Sequence, residues 1–365
     1  MNRLDLAAAG IRLSLDLDIG HIAALDIDAG ARTLRPLHRA PWIDEPATRA
    51  ADWSPGTKGL SGDFLCAPFS ASDVEPAPLH GWPSNSVWEV VENVRADGDT
   101  RARLRLGKTV CGAVVEKVLT LRDGHPFVYQ EHRFVGGTGE LPAAHHPMTV
   151  MQSGGRIGFS PKRVALTSAV ALETDPARGR HTLAYPARSS DLSKFPAAAG
   201  GTYDLTSYPA DGSAEDFVTL VEDVHDGPGW TAVARHHESD LFLVLKNPRE
   251  LPITMLWISN GGRDYAPWNG RHRGVLGVED GRTAVGHAAS IGDNPLKSMG
   301  IATSFKLDPN GVVSFRHILG SLPLENEHDA PDRVVTGQGR LRAVFAGGGD
   351  YSAPFDDSFL RIGEG

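Results

Sequence analysis

Apolar residues recur at every second position through much of this chain. Ile11, Leu13, Leu15, Leu17 and Ile19 alternate with polar neighbours, the period of a half-buried β-strand. Ala102, Leu104 and Leu106 alternate with Arg101, Arg103 and Arg105 in the same way, and Val115, Leu119 and Leu121 continue the pattern beyond Gly112. Phe127 to Phe134 and Val312 to Ile318 are further strand candidates. Leu241 to Leu245 is apolar without interruption, which predicts a strand buried on both faces. Turn signals separate these runs: Asp97-Gly98-Asp99, Asp123-Gly124, Gly136-Gly137 and Pro309-Asn310-Gly311. Helical periodicity is scarce. Its best case is Ala214 to Val224, where Phe217, Leu220, Val221 and Val224 would share one face and Glu215 and Asp216 would sit in the first turn. That segment reads equally as helix or as strand edge. No repeat of solenoid or propeller period appears, and no linker rich in Ser, Pro or charge divides the chain. Pro186 to Gly201 is long and irregular, and Leu192 and Phe195 would anchor it as a surface loop. The expectation is one domain over 1–365, all-β, built as a large two-layered antiparallel β-sandwich.

Composition narrows the class. With 365 residues, 41% hydrophobic and 22% charged, the chain suits a soluble globular protein rather than a disordered one. Its 41 glycines and 25 prolines exceed the average and fit many tight turns between short strands. The formal net charge is -9 and no basic stripe forms, which argues against nucleic acid as a partner and favours a neutral or cationic small ligand. Cys66 and Cys111 make neither a disulfide framework nor a metal-type pair. Met1 to Gly20 lacks a basic start followed by an apolar run, and no apolar run approaches the ~20 residues that span a bilayer. These features predict a cytoplasmic protein with reduced thiols and no membrane partner.

Three segments carry candidate chemistry: Leu79-His80-Gly81-Trp82-Pro83 followed by Trp88-Glu89; His145-His146-Pro147-Met148; and Ala266-Pro267-Trp268-Asn269-Gly270 running on to Gly277-Val278-Glu279-Asp280. Together they supply imidazoles, carboxylates and aromatic rings near turns. A neutral sugar is bound by hydrogen bonds to its hydroxyls and by an aromatic ring against its C–H face. Trp82, Trp88 and Trp268 suit that role, although for each taken singly a place in the core is the commoner one. His145 and His146 are adjacent, so on a strand they face opposite sides and chelate poorly. The same holds for His236-His237. With no His-x-His and no His-Glu-x-x-His, a catalytic zinc is not expected. His80 and His146 read either as site groups or as hydrogen-bonded structural side chains. Glu279, after the apolar run Val275 to Val278, faces solvent at a strand end or sits in a pocket.

The order of these segments resembles the aldose 1-epimerase, or galactose mutarotase-like, superfamily. The resemblance covers most of the chain, from Leu37-His38-Arg39-Ala40-Pro41-Trp42 and Gly62-Asp63-Phe64-Leu65-Cys66-Ala67-Pro68-Phe69 onward. It continues through His80-Gly81 with Trp88-Glu89, through Val115-Glu116-Lys117-Val118-Leu119-Thr120-Leu121, and through His145-His146-Pro147 to Gly277-Val278-Glu279. Each motif is short, and the signal lies in their order. The resemblance implies a β-supersandwich fold with neither metal nor organic cofactor, acting on a small-molecule sugar. It makes Glu279 the base that takes the anomeric proton, His146 the acid that protonates the ring oxygen, and His80 a hydrogen-bonding group beside that oxygen. Trp82, Trp88, Trp268 and Asp264 are the expected substrate contacts.

There are departures. Family members often carry an Arg shortly after the His-Gly pair, where this chain has Trp82-Pro83-Ser84-Asn85-Ser86. The arginine-rich front motif of hexose-6-phosphate epimerases is missing, which points to an unphosphorylated aldose. Ala144-His145-His146 stands in place of the usual Asn-His, and Pro147 favours His146 as the pocket residue. Two other readings remain open: a non-catalytic carbohydrate-binding or sensing protein, and a lyase or glycoside hydrolase in which Asp264 or Asp280 would partner Glu279.

Overall fold

The computed structural model describes residues 2–209, 211–325 and 329–361. Two large sheets form its centre, and every strand pairing within them is antiparallel. The first has eight strands. Its middle is Lys162–Leu166, Ala214–Glu222, Ile253–Asn260, Val275–Arg282 and Ala143–His145, in that spatial order. The second has nine, with Gly229–Arg235, Asp240–Lys246, Val312–Pro323, Phe127–Val135 and Ala113–Arg122 at its centre.

Between the sheets lies the main core. Val218, Leu220, Leu256, Ile258, Leu276 and Val278 from the eight-stranded sheet meet Val128, Phe134, Phe242, Val244, Phe315 and Leu319 from the nine-stranded one. A four-stranded sheet begun by Arg3–Ala8 and Ile11–Asp16 closes one side of this core with Leu6, Ile11, Leu13 and Leu15. The other faces of both large sheets are also covered. Leu241, Leu243 and Leu245 turn outward under a three-stranded sheet of Arg333–Gly337, Arg340–Val344 and Asp350–Pro354. The uninterrupted apolar run at Leu241 therefore has a partner on each side.

The far face of the eight-stranded sheet carries Phe217, Val221, Ile253, Met255, Trp257 and Val275. Long connections from residues 36–85, 261–274 and 283–301 fold over it and bring Trp42, Phe64 and Phe69 down onto the strands. Among the described residues α-helix is confined to short turns in these connections, such as Pro46–Ala50 and His287–Ile291. Among the described residues no helix is long and apolar enough to cross a membrane.

Ala214–Glu222 is a strand, not a helix. Alternate residues serve two apolar layers, Phe217 and Val221 one and Val218 and Leu220 the other. Doubly buried strands lose the period of two, and the spacing of Phe217, Leu220 and Val221 mimicked a helical face. In the irregular stretch after Pro186, Phe195 is buried and Leu192 packs against the main core, as anchors of that loop.

Candidate active site

A cavity of about 310 Å³ lies between the far face of the eight-stranded sheet and the connections that cover it. Its floor is Glu279 and Trp257 from two neighbouring strands, with Phe217 beside them. Gly277 makes this floor possible. A side chain there would start 3.0 Å from the Glu279 Oε1 and 3.1 Å from the Trp257 Cβ. His146 enters just past the end of Ala143–His145, its backbone N–H held by the Asp63 Oδ1 at 3.0 Å. His80 comes from the opposite wall. It sits at φ +65° before Gly81, whose own φ is +76°. A Cβ on Gly81 would fall 2.0 Å from the Ala67 carbonyl oxygen, so the tight turn that presents His80 needs glycine after it.

The three expected acid–base groups meet in this cavity. His146 Nε2 lies 3.1 Å from Glu279 Oε1. The His80 ring stands edge-on to the His146 ring at 5.4 Å. His80 Nδ1 accepts from the Ser70 amide at 3.3 Å, which leaves the proton of the neutral ring on Nε2. Phe64 is stacked between two imidazoles, His146 at 4.5 Å and His21 at 4.2 Å, so neither ring turns freely.

Burial sets the charges. It pushes the Glu279 carboxyl well above the usual carboxylate range and the His146 imidazole well below its ordinary value. It lowers His80 to about 4 and, with help from the Lys117 charge, His21 to about 3. The Glu279–His146 pair therefore holds one proton between two facing atoms. Glu279 Oε2 and His146 Nδ1 have no protein partner. Buried polar atoms are seldom left so, and these two point to a polar ligand.

Behind the floor, the same strands carry charge on their other face. Asp280 accepts from Thr254 Oγ1 at 2.7 Å and faces His317 Nε2 at 3.1 Å and Lys246 Nζ at 2.7 Å. Lys246 also meets Glu222 at 2.9 Å. Breaking one partner of such a buried pair costs about 3–5 kcal/mol, so the network fixes the strand that carries Glu279. His145 lies in this inner layer, stacked on His317 at 4.1 Å, with its Nδ1 3.6 Å from Asp63. Burial alone would raise the Asp63 carboxyl. His145, His317 and Gln130 outweigh it and bring it to about 2. Asp63, His145 and His317 hold ligand-type atoms within 4.8 Å of one another. The two rings are nearly parallel, 10° apart, so their in-plane lone pairs do not converge on one ion. The geometry suits stacking rather than coordination.

No protein-family model matches this sequence, and no curated protein does. Solved structures do. An aldose 1-epimerase candidate from Escherichia coli K12 aligns with a TM-score of 0.58 at 14% identity, over 88% of this chain and 99% of that one. A galactose mutarotase-like protein from Clostridium acetobutylicum gives 0.56 at 11%, over 88% and 95%. An aldose 1-epimerase candidate from Klebsiella pneumoniae gives 0.57 at 14%, over 86% and 77%. The chain has the galactose mutarotase-like fold.

On this mutarotase-like scaffold the expected sugar contacts divide. Trp268 lines the cavity. Trp88 does not. It is 1% exposed in the main core, its Nε1 donates to the Pro83 carbonyl at 2.8 Å, and Lys117 stands over its ring. Trp82 packs on the outside of that core under Lys108. Asp264 points to the surface, ion-paired with Arg180. Asp280 faces the inner layer, away from Glu279. Among the residues lining the cavity Glu279 is the only carboxylate. The sequence reading missed Trp257, Phe217, Phe64, His21 and Arg263, all of which line it. Trp257 and Phe217 lie on doubly buried strands, where no pattern says which face is the cavity's. Phe64 stood inside a quoted motif and was the one of these with a usable signal.

Proposed function

We propose that the protein interconverts the α and β anomers of an aldose by acid–base catalysis through ring opening. The observation that carries this reading is the 3.1 Å approach of Glu279 Oε1 to His146 Nε2 in the cavity, beside unpartnered atoms of both. Anomer exchange needs one base at the anomeric hydroxyl and one acid at the ring oxygen, two atoms joined to the same carbon. A bound sugar donates hydroxyl hydrogens to the carboxylate and so favours its charged form, moving the shared proton to Nε2. Glu279 then takes the proton of the anomeric hydroxyl while His146 gives its own to the ring oxygen, and the ring C–O bond breaks to an open-chain aldehyde. Rotation of the aldehyde and reclosure return both protons and yield the other anomer. His80 donates from Nε2 and orients the ring, and Trp268 and Trp257 offer apolar faces.

A glycoside hydrolase wants two carboxylates flanking the bond. The lone carboxylate in this lining disfavours that chemistry. The test is a panel of freshly dissolved pure anomers followed by proton NMR or polarimetry. Acceleration of at least one by catalytic amounts of protein is expected. Sugar binding with no acceleration of any would overturn catalysis in favour of a sugar-binding role.

A further inference from the structure

The cavity is electrically lopsided. Burial keeps its three imidazoles, His21, His80 and His146, in the neutral range, and Glu279 is the one carboxyl of its lining. Arg263 is the only permanent cation in the lining. Its guanidinium carbon lies 4.5 Å from the centre of the Trp268 ring and 5.9 Å from that of Trp257. Trp257 also touches His146, ring centre to ring centre at 5.6 Å. Trp257 therefore touches both the arginine and His146.

The arginine is placed with care. Gly261 turns the chain at φ +74°, and Gly262 presses so close to Ala214 and Glu215 that a Cβ would fall 2.2 Å from their backbone. The Gly262 carbonyl accepts from Arg180 N–H at 2.9 Å and the Arg263 carbonyl from Gly270 N–H at 2.7 Å. Backbone on both sides is thus pinned before the side chain begins. The side chain is 14% exposed, and its one ionic neighbour is Glu215, whose Oε1 lies 3.3 Å from Nη2. Glu215 is already served by the Trp257 indole N–H at 2.5 Å and by Ser259 at 2.9 Å. Arg263 Nε is buried with no hydrogen-bond partner. A buried guanidinium N–H is costly unless an acceptor arrives, and Arg263 is part of the cavity lining.

We propose that the aldose taken by this cavity carries a carboxylate across the ring from its anomeric carbon, and that Arg263 binds that carboxylate. The inference rests on the anomer-exchange reading for its orientation. A carboxylate is planar and singly charged, and it matches the fork of one guanidinium. A phosphate would bring up to two charges and three oxygens to a site with one cation and two acidic neighbours. The chain's negative net charge does not oppose this, because the local field at the cavity is set by Arg263 and screened little by solvent.

The test compares a hexuronate, the matching neutral hexose and the hexose 6-phosphate as substrates of the wild-type protein, by anomer-exchange NMR. The hexuronate should have the highest kcat/KM, by about 10- to 100-fold over the neutral sugar, the worth of a charge-assisted hydrogen bond. Arg263→Gln should collapse that ratio, and Arg263→Lys, which keeps charge but not the fork, should leave part of it. If Arg263→Gln fails to fold, the wild-type ranking still decides. Exchange of neutral hexose at equal or better kcat/KM overturns the carboxylate subsite and leaves the anomerase standing. Preference for the phosphate overturns it too. If no sugar is turned over, calorimetric titration separates the two ideas. Hexuronate binding that weakens in Arg263→Gln keeps the subsite without the catalysis, and no hexuronate binding removes it.

Discussion

Glu279→Gln should make the protein inactive and, above neutral pH, more stable. Gln preserves shape, so the cavity stays filled. What it loses is the proton that the carboxyl shares with His146. A positioned acid or base contributes roughly 10²–10⁴-fold, so turnover should fall by that factor, about 3–5 kcal/mol of barrier. The stability change follows from burial. The folded protein holds the Glu279 proton to a pH well above the 4.5 of an ordinary Glu. Over that window the folded state binds one more proton than the unfolded state. Stability therefore falls as pH rises from 4.5 to the folded value, by up to about 1.4 kcal/mol per pH unit. Gln has no such proton and removes the slope. Urea unfolding at pH 5 and pH 8 checks this, with anomer exchange on the same samples. The variant should match wild type at pH 5 and exceed it at pH 8. If it is less stable at pH 8, Glu279 and His146 form a charged pair and the shared-proton assignment is wrong. Wild-type exchange rates in the variant would remove Glu279 from the chemistry.

His146→Asn should cut turnover far more than affinity, while His145→Asn should leave the reaction in place and change unfolding, because its ring lies in the inner layer against His317. A dead His145→Asn with an active His146→Asn would reverse those roles. Gly277→Ala should cost about 1–3 kcal/mol of stability through overpacking and slow exchange by displacing the carboxylate; a thermal melt and a rate measurement read both, and a silent variant would show that the floor yields easily. Dialysis against EDTA should leave the rate unchanged, since the stacked His145 and His317 rings do not converge on an ion. Activity lost to EDTA and restored by zinc would contradict that.

Much of the architecture was legible in the sequence wherever one face of a strand met solvent. Ala102, Leu104 and Leu106 alternate with arginines because those arginines lie on the outer side of the sheet edge. The reading blurred where both faces are buried. Ala214–Glu222 and Ile253–Asn260 are filled by two apolar layers, so Phe217 and Trp257 gave no sign of which layer they join. His80, His146 and Glu279 were singled out through short motifs in order, and they line one cavity, because the turn at His80-Gly81 and the strand before His146 are local structures. Of the expected substrate contacts only Trp268 lines that cavity. Trp88 lies near the His80 motif in sequence, yet its strand turns it into the main core, and Asp264 is drawn out by Arg180. Arg263 escaped notice because nothing local distinguishes it from a surface arginine. Only the meeting of its loop with Trp268 gives it a cavity to face.

The floor strand has an implication for how such a protein changes over time. Glu279 and Asp280 are neighbours that serve opposite sides of one sheet, as His145 and His146 do on the adjoining segment. Replacing a residue alters one side only. Adding or deleting a single residue between Val275 and Glu279 would exchange the two sides, sending the Glu279 carboxyl into the inner ion network and that of Asp280 into the cavity. A change in the length of the floor strand would therefore disturb both layers at once, where a substitution disturbs one.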